Sequence, residues 1–223
     1  MKTRLCIAAL AALLVPFTPA AAQVAGSSGA NVISAPGHGS AIAESFVADN
    51  IAKSLAILNN AGLSESQRRD QFQALLLGLT DSQRIATFTL GQYAKSAPQA
   101  DQDVFAHAFQ NYSIAVYRSY FSRFSGQTLT VTGSSQRAPA DFIVATKLLD
   151  PHDHSGQAPL EVDFRVRTDA GRPEITDLSV MGVWLAISQR DEFVSYLAAH
   201  NGSVPNLTAH IVDVTAQLGQ PGR

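Results

Sequence analysis

The sequence predicts an α+β fold in which N-terminal helices pack on one face of a curved antiparallel sheet of about four strands, with a further helix near the C-terminus. Three observations carry that prediction. Apolar residues recur every three or four positions from Ile42 to Phe124, alternate at period two through Leu129 to Val166, and return to helical spacing at Phe193, Tyr196 and Leu197. Leu160, Val162, Phe164 and Val166 point to one side of a strand while Glu161, Asp163, Arg165 and Arg167 point to the other, which makes one sheet face wet. Helices that come first, with strands after them, argue for helices laid against one face of an antiparallel sheet.

The elements follow in order. Ile42, Phe46, Ile51, Leu55 and Leu58 form a helical stripe behind Ser40, stopped by Asn59-Asn60-Ala61-Gly62. Ser64 with Gln67 makes a capping box for a second helix carrying Phe72, Leu75, Leu76 and Leu77. A third begins near Asp81, carries Ile85, Phe88 and Leu90, and ends around Gly91 or just beyond Tyr93. Ser96-Ala97-Pro98 opens the longest helix, whose stripe Phe105, Phe109, Tyr112, Val116 and Tyr120 ends at Ser125-Gly126. Strands are then expected around Leu129 and Val131, from Phe142 to Leu149, from Leu160 to Val166, and, after the turn Asp169-Ala170-Gly171, from Ile175 to Leu185. Ser188 to His200 reads as a helix, and Asn206 to Val214 as a last strand or helix.

Lys2 and Arg4, the apolar run Leu5 to Val15 and the small residues Ala20-Ala21-Ala22 match a secretory signal peptide over residues 1–22, so the mature chain is expected to start at Gln23. That run is too short to span a bilayer, and no later segment offers about 18 uncharged apolar residues, so an exported, soluble product is expected. Cys6 would leave with the signal, which removes disulfide, thiolate and lipid-anchor chemistry from the mature chain. Residues 23–39, rich in Gly, Ser and Ala, read as a flexible leader, 40–216 as the folded domain and 217–223 as a flexible tail. The formal charge of −2 becomes −4 without Lys2 and Arg4, and no basic cluster occurs. Nucleic acid and polybasic anchoring on anionic lipid are therefore not expected.

Four blocks, in order, resemble the MlaC-like periplasmic phospholipid-binding proteins, also called toluene-tolerance or ABC-transporter auxiliary proteins. Ile85-Ala86-Thr87-Phe88-Thr89-Leu90-Gly91-Gln92-Tyr93 is similar to the family's IARFVLGRYW-type helix end. The long helix from Phe105 to Phe124 passes into Ser125-Gly126-Gln127-Thr128 as the family's does. The hairpin with its Asp169-Ala170-Gly171 turn, then Asp177-Leu178, Gly182-Val183 and Arg190-Asp191-Glu192-Phe193, are similar to the last two blocks, so the resemblance covers about Ile42 to Val214. The chain departs from the family at Trp184, where a small Ser is usual, and at Gln189, where Tyr is frequent; both bear on the size of the ligand.

The resemblance implies a lipid carrier without catalysis, metal or cofactor, whose helices and sheet enclose an apolar cavity for acyl chains. It implies a periplasmic monomer shuttling phospholipid between an outer-membrane lipoprotein complex and an inner-membrane MCE-type ABC transporter. On its own the stripe of the long helix reads as ordinary core. With the resemblance, the expected cavity residues are Phe105, Phe109, Tyr112, Val116 and Tyr120 on that helix, and Phe142, Val144, Val162, Phe164, Val166, Leu178, Val180, Val183 and Trp184 on the sheet.

Rival readings are a hopanoid or other polycyclic-lipid carrier, to which Trp184 is suited, a nuclear-transport-factor-like pocket enzyme, and an adaptor with a solid core. For an enzyme the residues are poor: no G-x-S-x-G elbow occurs, and the histidines are scattered. His152-Asp153-His154 lies between Pro151 and Gly156 and lacks a third ligand at metal spacing, so it reads as a solvated loop. Alternation of Glu161, Asp163, Arg165 and Arg167 reads as solvated cross-strand pairing rather than a catalytic carboxylate pair.

Overall fold

The computed structural model describes residues 39–121 and 126–218, with side chains on the long helix described as far as Val116. The expected signal peptide, nearly all of the expected leader, the expected helix end at Ser125 and the last five residues lie outside the described residues. The order is α1 (Ala41–Leu58), α2 (Glu65–Leu79), α3 (Ser82–Thr89), a 3₁₀ turn (Gly91–Lys95) and α4 (Gln99–Phe121). Strands β1 (Thr128–Ala138), β2 (Asp141–Leu149), β3 (Leu160–Arg167), β4 (Glu174–Val180) and β5 (Val183–Trp184) follow, then α5 (Leu185–Ala199) and α6 (Val204–Leu218). The strands form one open antiparallel sheet in sequence order. This is the α+β class read from the sequence.

Helix starts are set by local side chains that satisfy orphan amides. The Ser40 hydroxyl accepts from the Ala43 amide, Ser64 and Gln67 complete a reciprocal capping box, and the Asp81 carboxylate accepts from the Arg84 amide. After Leu90 the chain turns through Gly91 at φ +58, where a Cβ would sit 2.7 Å from Val194 Cγ2. Only glycine fits that turn against α5.

Two differences from the sequence expectation matter for the site. The strand expected to run from Ile175 to Leu185 breaks at Met181 and Gly182, which take φ of 53 and 79 and fold β4 back into β5. Two consecutive positive φ values make a tight hairpin turn, and the uniformly apolar segment hid it from a period-two reading. Helix α5 consequently starts at Leu185, three residues before the expected Ser188. The C-terminal element resolves as helix α6, introduced by the turn at Asn201 (φ 55) and Gly202 (φ 70). β1 is also longer than its apolar pair suggested, continuing past a bulge at Gly133 into the polar Ser134-Ser135 stretch.

The core is split. Helices α3 to α6 make one cluster around Phe105, Leu90, Leu197, Leu207 and Ile211, in which Phe105 and Phe109 both meet Phe193 edge to face. Helix α1 makes the other by lying on the apolar face of β1 to β3, with Ala43 and Val47 against Val144 and Val166. The buried face of α1 is Ala43, Val47 and Asn50, while Ile42 is 66% exposed, so the expected stripe is rotated by about one residue. Small Ala43 at the contact lets the helix approach the sheet closely. The long helix α4 packs mainly on α6 and α3, not on the strands. A gap is left between α4 and the β3–β4 half of the sheet.

The opposite sheet face is less wet than its sequence suggested. Arg165 grips Asp141 bidentately at 2.9 and 2.6 Å, and Arg84 reaches Glu174 at 2.5 Å. Asp141, Glu174, Asp177 and Ser179 are all buried there. Arg165 thus makes a cross-strand pair, as its alternating face suggested, but a partly desolvated one, and Arg84–Glu174 joins α3 to the sheet rather than strand to strand.

Candidate functional site

The gap beneath α4 is a cavity of about 340 Å³. Leu76 and Leu77 of α2 and Phe109, Tyr112, Ile114 and Val116 of α4 form one wall; Phe164, Ile175 and Leu178 of the sheet form the other. Leu185, Ala186 and Gln189 of α5 close the side. The framework holding it open is specific. Thr80 pairs with Ile175 in a parallel bridge, and the Arg172 guanidinium donates to the Gly78 carbonyl at 2.6 Å, so the end of α2 is tied to the edge of β4. Asp177 ties the other side: one carboxylate oxygen accepts from the amides of Leu178, at 2.8 Å, and Ala186, at 2.9 Å. It thus caps α5 from nine residues upstream, since the N-cap residue Trp184 makes no such bond.

The expected cavity residues separate into three groups. Phe109, Tyr112, Val116, Phe164 and Leu178 stand on the wall. Phe105 lies in the solid helical core, and Val144 and Val166 under α1, with Phe142 packed at the edge of that cluster. Val162 and Val180 are buried on the same apolar sheet face as Phe164 but do not line the cavity, Val183 is 45% exposed in β5, and Trp184 is half-buried beside it. The Tyr120 side chain lies outside the described residues. The sequence reading missed Leu76, Leu77, Ile85, Ile114, Ile175, Leu185 and Ala186. A signal was present for two of them: Leu75-Leu76-Leu77 is more apolar than a helix wet on its outer side requires.

The wall is almost wholly carbon. Among its described residues Asp177 is the one carboxylate, and no His, Lys or Arg faces the cavity. Beside it lies a polar recess of about 190 Å³ lined by Asp81, Arg84, Arg165, Arg167 and Asp177, which shares Ile85, Ile175 and Thr176 with the cavity. Each of its arginines already holds a carboxylate: Glu174, Asp141 and Asp169 respectively. Among the described residues no group of three or more His, Cys, Asp or Glu is placed to hold a metal. His200 and His210 both stack on Tyr196, and His152-Asp153-His154 is exposed.

Burial raises the Asp177 carboxyl above the usual carboxylate range, against the opposing pull of the Ala186 and Leu178 amides and of Arg165. Burial likewise raises Asp163 and Glu192. A raised acid binds more protons folded than unfolded, so its contribution to stability falls as pH rises from the ordinary carboxylate range through the folded pKa. Asp177→Asn keeps an oxygen for both amides and removes the buried charge. Its melting temperature relative to wild type is therefore expected to rise between pH 4 and pH 7, by thermal denaturation at both. A variant that loses ground at pH 7 would show that the Arg165 and amide attractions outweigh burial.

A helix-and-sheet shell around an apolar chamber defines an α+β protein with a ligand-sized cavity. The chain belongs to the MlaC family: the family described as MlaC protein matches residues 48–213. Its fold is also that of a phospholipid-binding protein from Ralstonia solanacearum, solved in complex with a phospholipid, with a TM-score of 0.69 at 20% identity over 81% of this chain and 100% of that one.

Proposed function

We propose that this protein is a phospholipid-binding carrier, not an enzyme, that shields acyl chains from water in the cavity beneath α4. The carbon-lined wall built by Leu76, Phe109, Val116, Phe164 and Leu178 is the observation that carries this reading. Membership of the MlaC family and the likeness to a protein solved with a phospholipid support it. The physical requirement is large: two acyl chains hold about 30 methylenes, and at about 0.8 kcal/mol each their exposure would cost on the order of 20 kcal/mol. A cavity of side-chain carbon replaces the bilayer for the transit, and no cofactor is called for.

In this proposal the protein is exported by its signal peptide and works in the periplasm. It passes lipid between an outer-membrane lipoprotein complex and an inner-membrane MCE-type ABC transporter, and so maintains lipid asymmetry. Trp184, whose ring suited a polycyclic lipid, lies off the cavity wall, so no feature of the wall favours that rival. Native mass spectrometry of the chain from Gln23, purified without detergent, tests the carrier reading. A discrete mass shift that solvent extraction resolves into phospholipid is expected. An apo mass that persists after incubation with phospholipid vesicles would overturn it.

A further inference from the structure

The α2 wall of the cavity has a direction. At the C-terminal end of the helix Thr80 pairs with Ile175 and the Gly78 carbonyl holds Arg172, so this end is tied to the sheet. The polar recess lies there too, and its three arginines are each neutralised by a carboxylate, which leaves the carboxylates of Asp81 and Asp177 in excess. An anionic headgroup is repelled from that end. Towards the helix N-terminus the wall runs through Leu77 and Leu76 to Gln73, the first residue of α2 on the cavity. Arg69 precedes Gln73 by one turn, and Gln73, Leu76 and Leu77 are its i+4, i+7 and i+8 neighbours, which share its helix face.

Arg69 is a cation without a counterpart. Its Nε is buried, and among the described residues it is the one buried side-chain nitrogen or oxygen with no hydrogen-bond partner. Arg84, Arg165 and Arg167 each hold a carboxylate, whereas none of the described carboxylates pairs with Arg69, although Glu65 stands four residues before it. A buried donor of this kind costs free energy until an acceptor meets it.

From this we infer that Arg69 binds the phosphate of the carried lipid, and so selects phosphate-bearing lipids over neutral lipids with the same acyl chains. The inference rests on the carrier reading above and adds the group that holds the head. The acyl chains lie along the carbon wall towards the tied end, and the phosphate meets Arg69 just beyond Gln73. A guanidinium offers parallel N–H donors to a pair of phosphate oxygens, a geometry that Lys cannot match. Because the phosphodiester is common to glycerophospholipids, the contact is blind to the alcohol beyond it.

The test offers both kinds of lipid at once. The chain from Gln23, stripped of bound lipid, is incubated with vesicles of phosphatidylglycerol containing one part in ten of diacylglycerol with the same acyl chains. The bound lipid is then read by native mass spectrometry and extraction. Wild type is expected to enrich phosphatidylglycerol over diacylglycerol by about tenfold or more relative to the vesicle, and Arg69→Gln to lose that preference with its uptake of diacylglycerol unchanged. Among the described residues nothing bonds to Arg69, so the variant should melt with lipid-free wild type. Arg69→Lys, which keeps the charge without the fork, should fall between the two. A wild type that mirrors the vesicle, an unchanged ratio in both variants, or an equal loss of both lipids would overturn the assignment and leave the carrier reading standing. If excess inorganic phosphate, and not phosphatidylglycerol, is what Arg69→Gln fails to hold, the site serves a free anion and the lipid assignment falls. No lipid of either kind on wild type would defeat the carrier reading and this inference with it.

Discussion

Phe105→Ala is expected to destabilise the fold by about 3–5 kcal/mol, among the largest effects of any single truncation in this chain. Phe105 is fully buried, its ring lies 5.8 Å from Phe193 at 82° and 6.1 Å from Phe109, and its neighbours come from helices on all sides. Removing it leaves a hole that Leu90, Leu197 and Leu207 cannot close without moving whole helices. Equilibrium unfolding in denaturant measures the loss, which corresponds to a melting temperature lower by on the order of 10 °C for a domain of this size. Since Phe105 contributes nothing to the cavity wall, the folded fraction should hold as much lipid per molecule as wild type. A loss below 1 kcal/mol would mean the helical bundle collapses around the gap. Lost occupancy at full stability would move Phe105 from the core to the site.

That contrast explains how far the sequence could be read. Helix limits were legible at Ser40, at Ser64 with Gln67 and at Asp81, because a capping hydrogen bond is made within three residues and leaves its signature in the local sequence. Periodicity also showed which positions of β3 turn inward. It could not show against what: Val166 is covered by α1, whereas Phe164, two residues away on the same face, reaches the cavity. The division depends on where α1 settles, more than 100 residues earlier in the chain. Two further features are non-local in the same sense. Asp177 caps α5 across the β4–β5 hairpin, and the wall residues Leu76 and Leu77 are brought in by the tie between Gly78 and Arg172.

Filling the chamber should separate binding from folding in the opposite direction. Ala186→Trp, on the α5 side, and Ser113→Trp, on the α4 side, place an indole into the chamber, and each is expected to reduce bound lipid at least tenfold. Neither position is fully buried, and neither side chain packs in the two core clusters, so overpacking strain stays small. Ala186 serves Asp177 through its backbone amide, a bond the substitution leaves in place. The indole also covers part of the apolar wall that lipid would otherwise cover, so the empty variants should melt within a few degrees of lipid-free wild type. Extraction and native mass spectrometry report occupancy; circular dichroism and thermal melting report the fold. If both variants remain folded and carry lipid at wild-type levels, the hydrocarbon does not lie beneath α4, and the cavity assigned here is not the site of binding. If they are empty and stable, the wall between α4 and β4 is where the chain resides, and the helix α1 half of the sheet serves the fold alone.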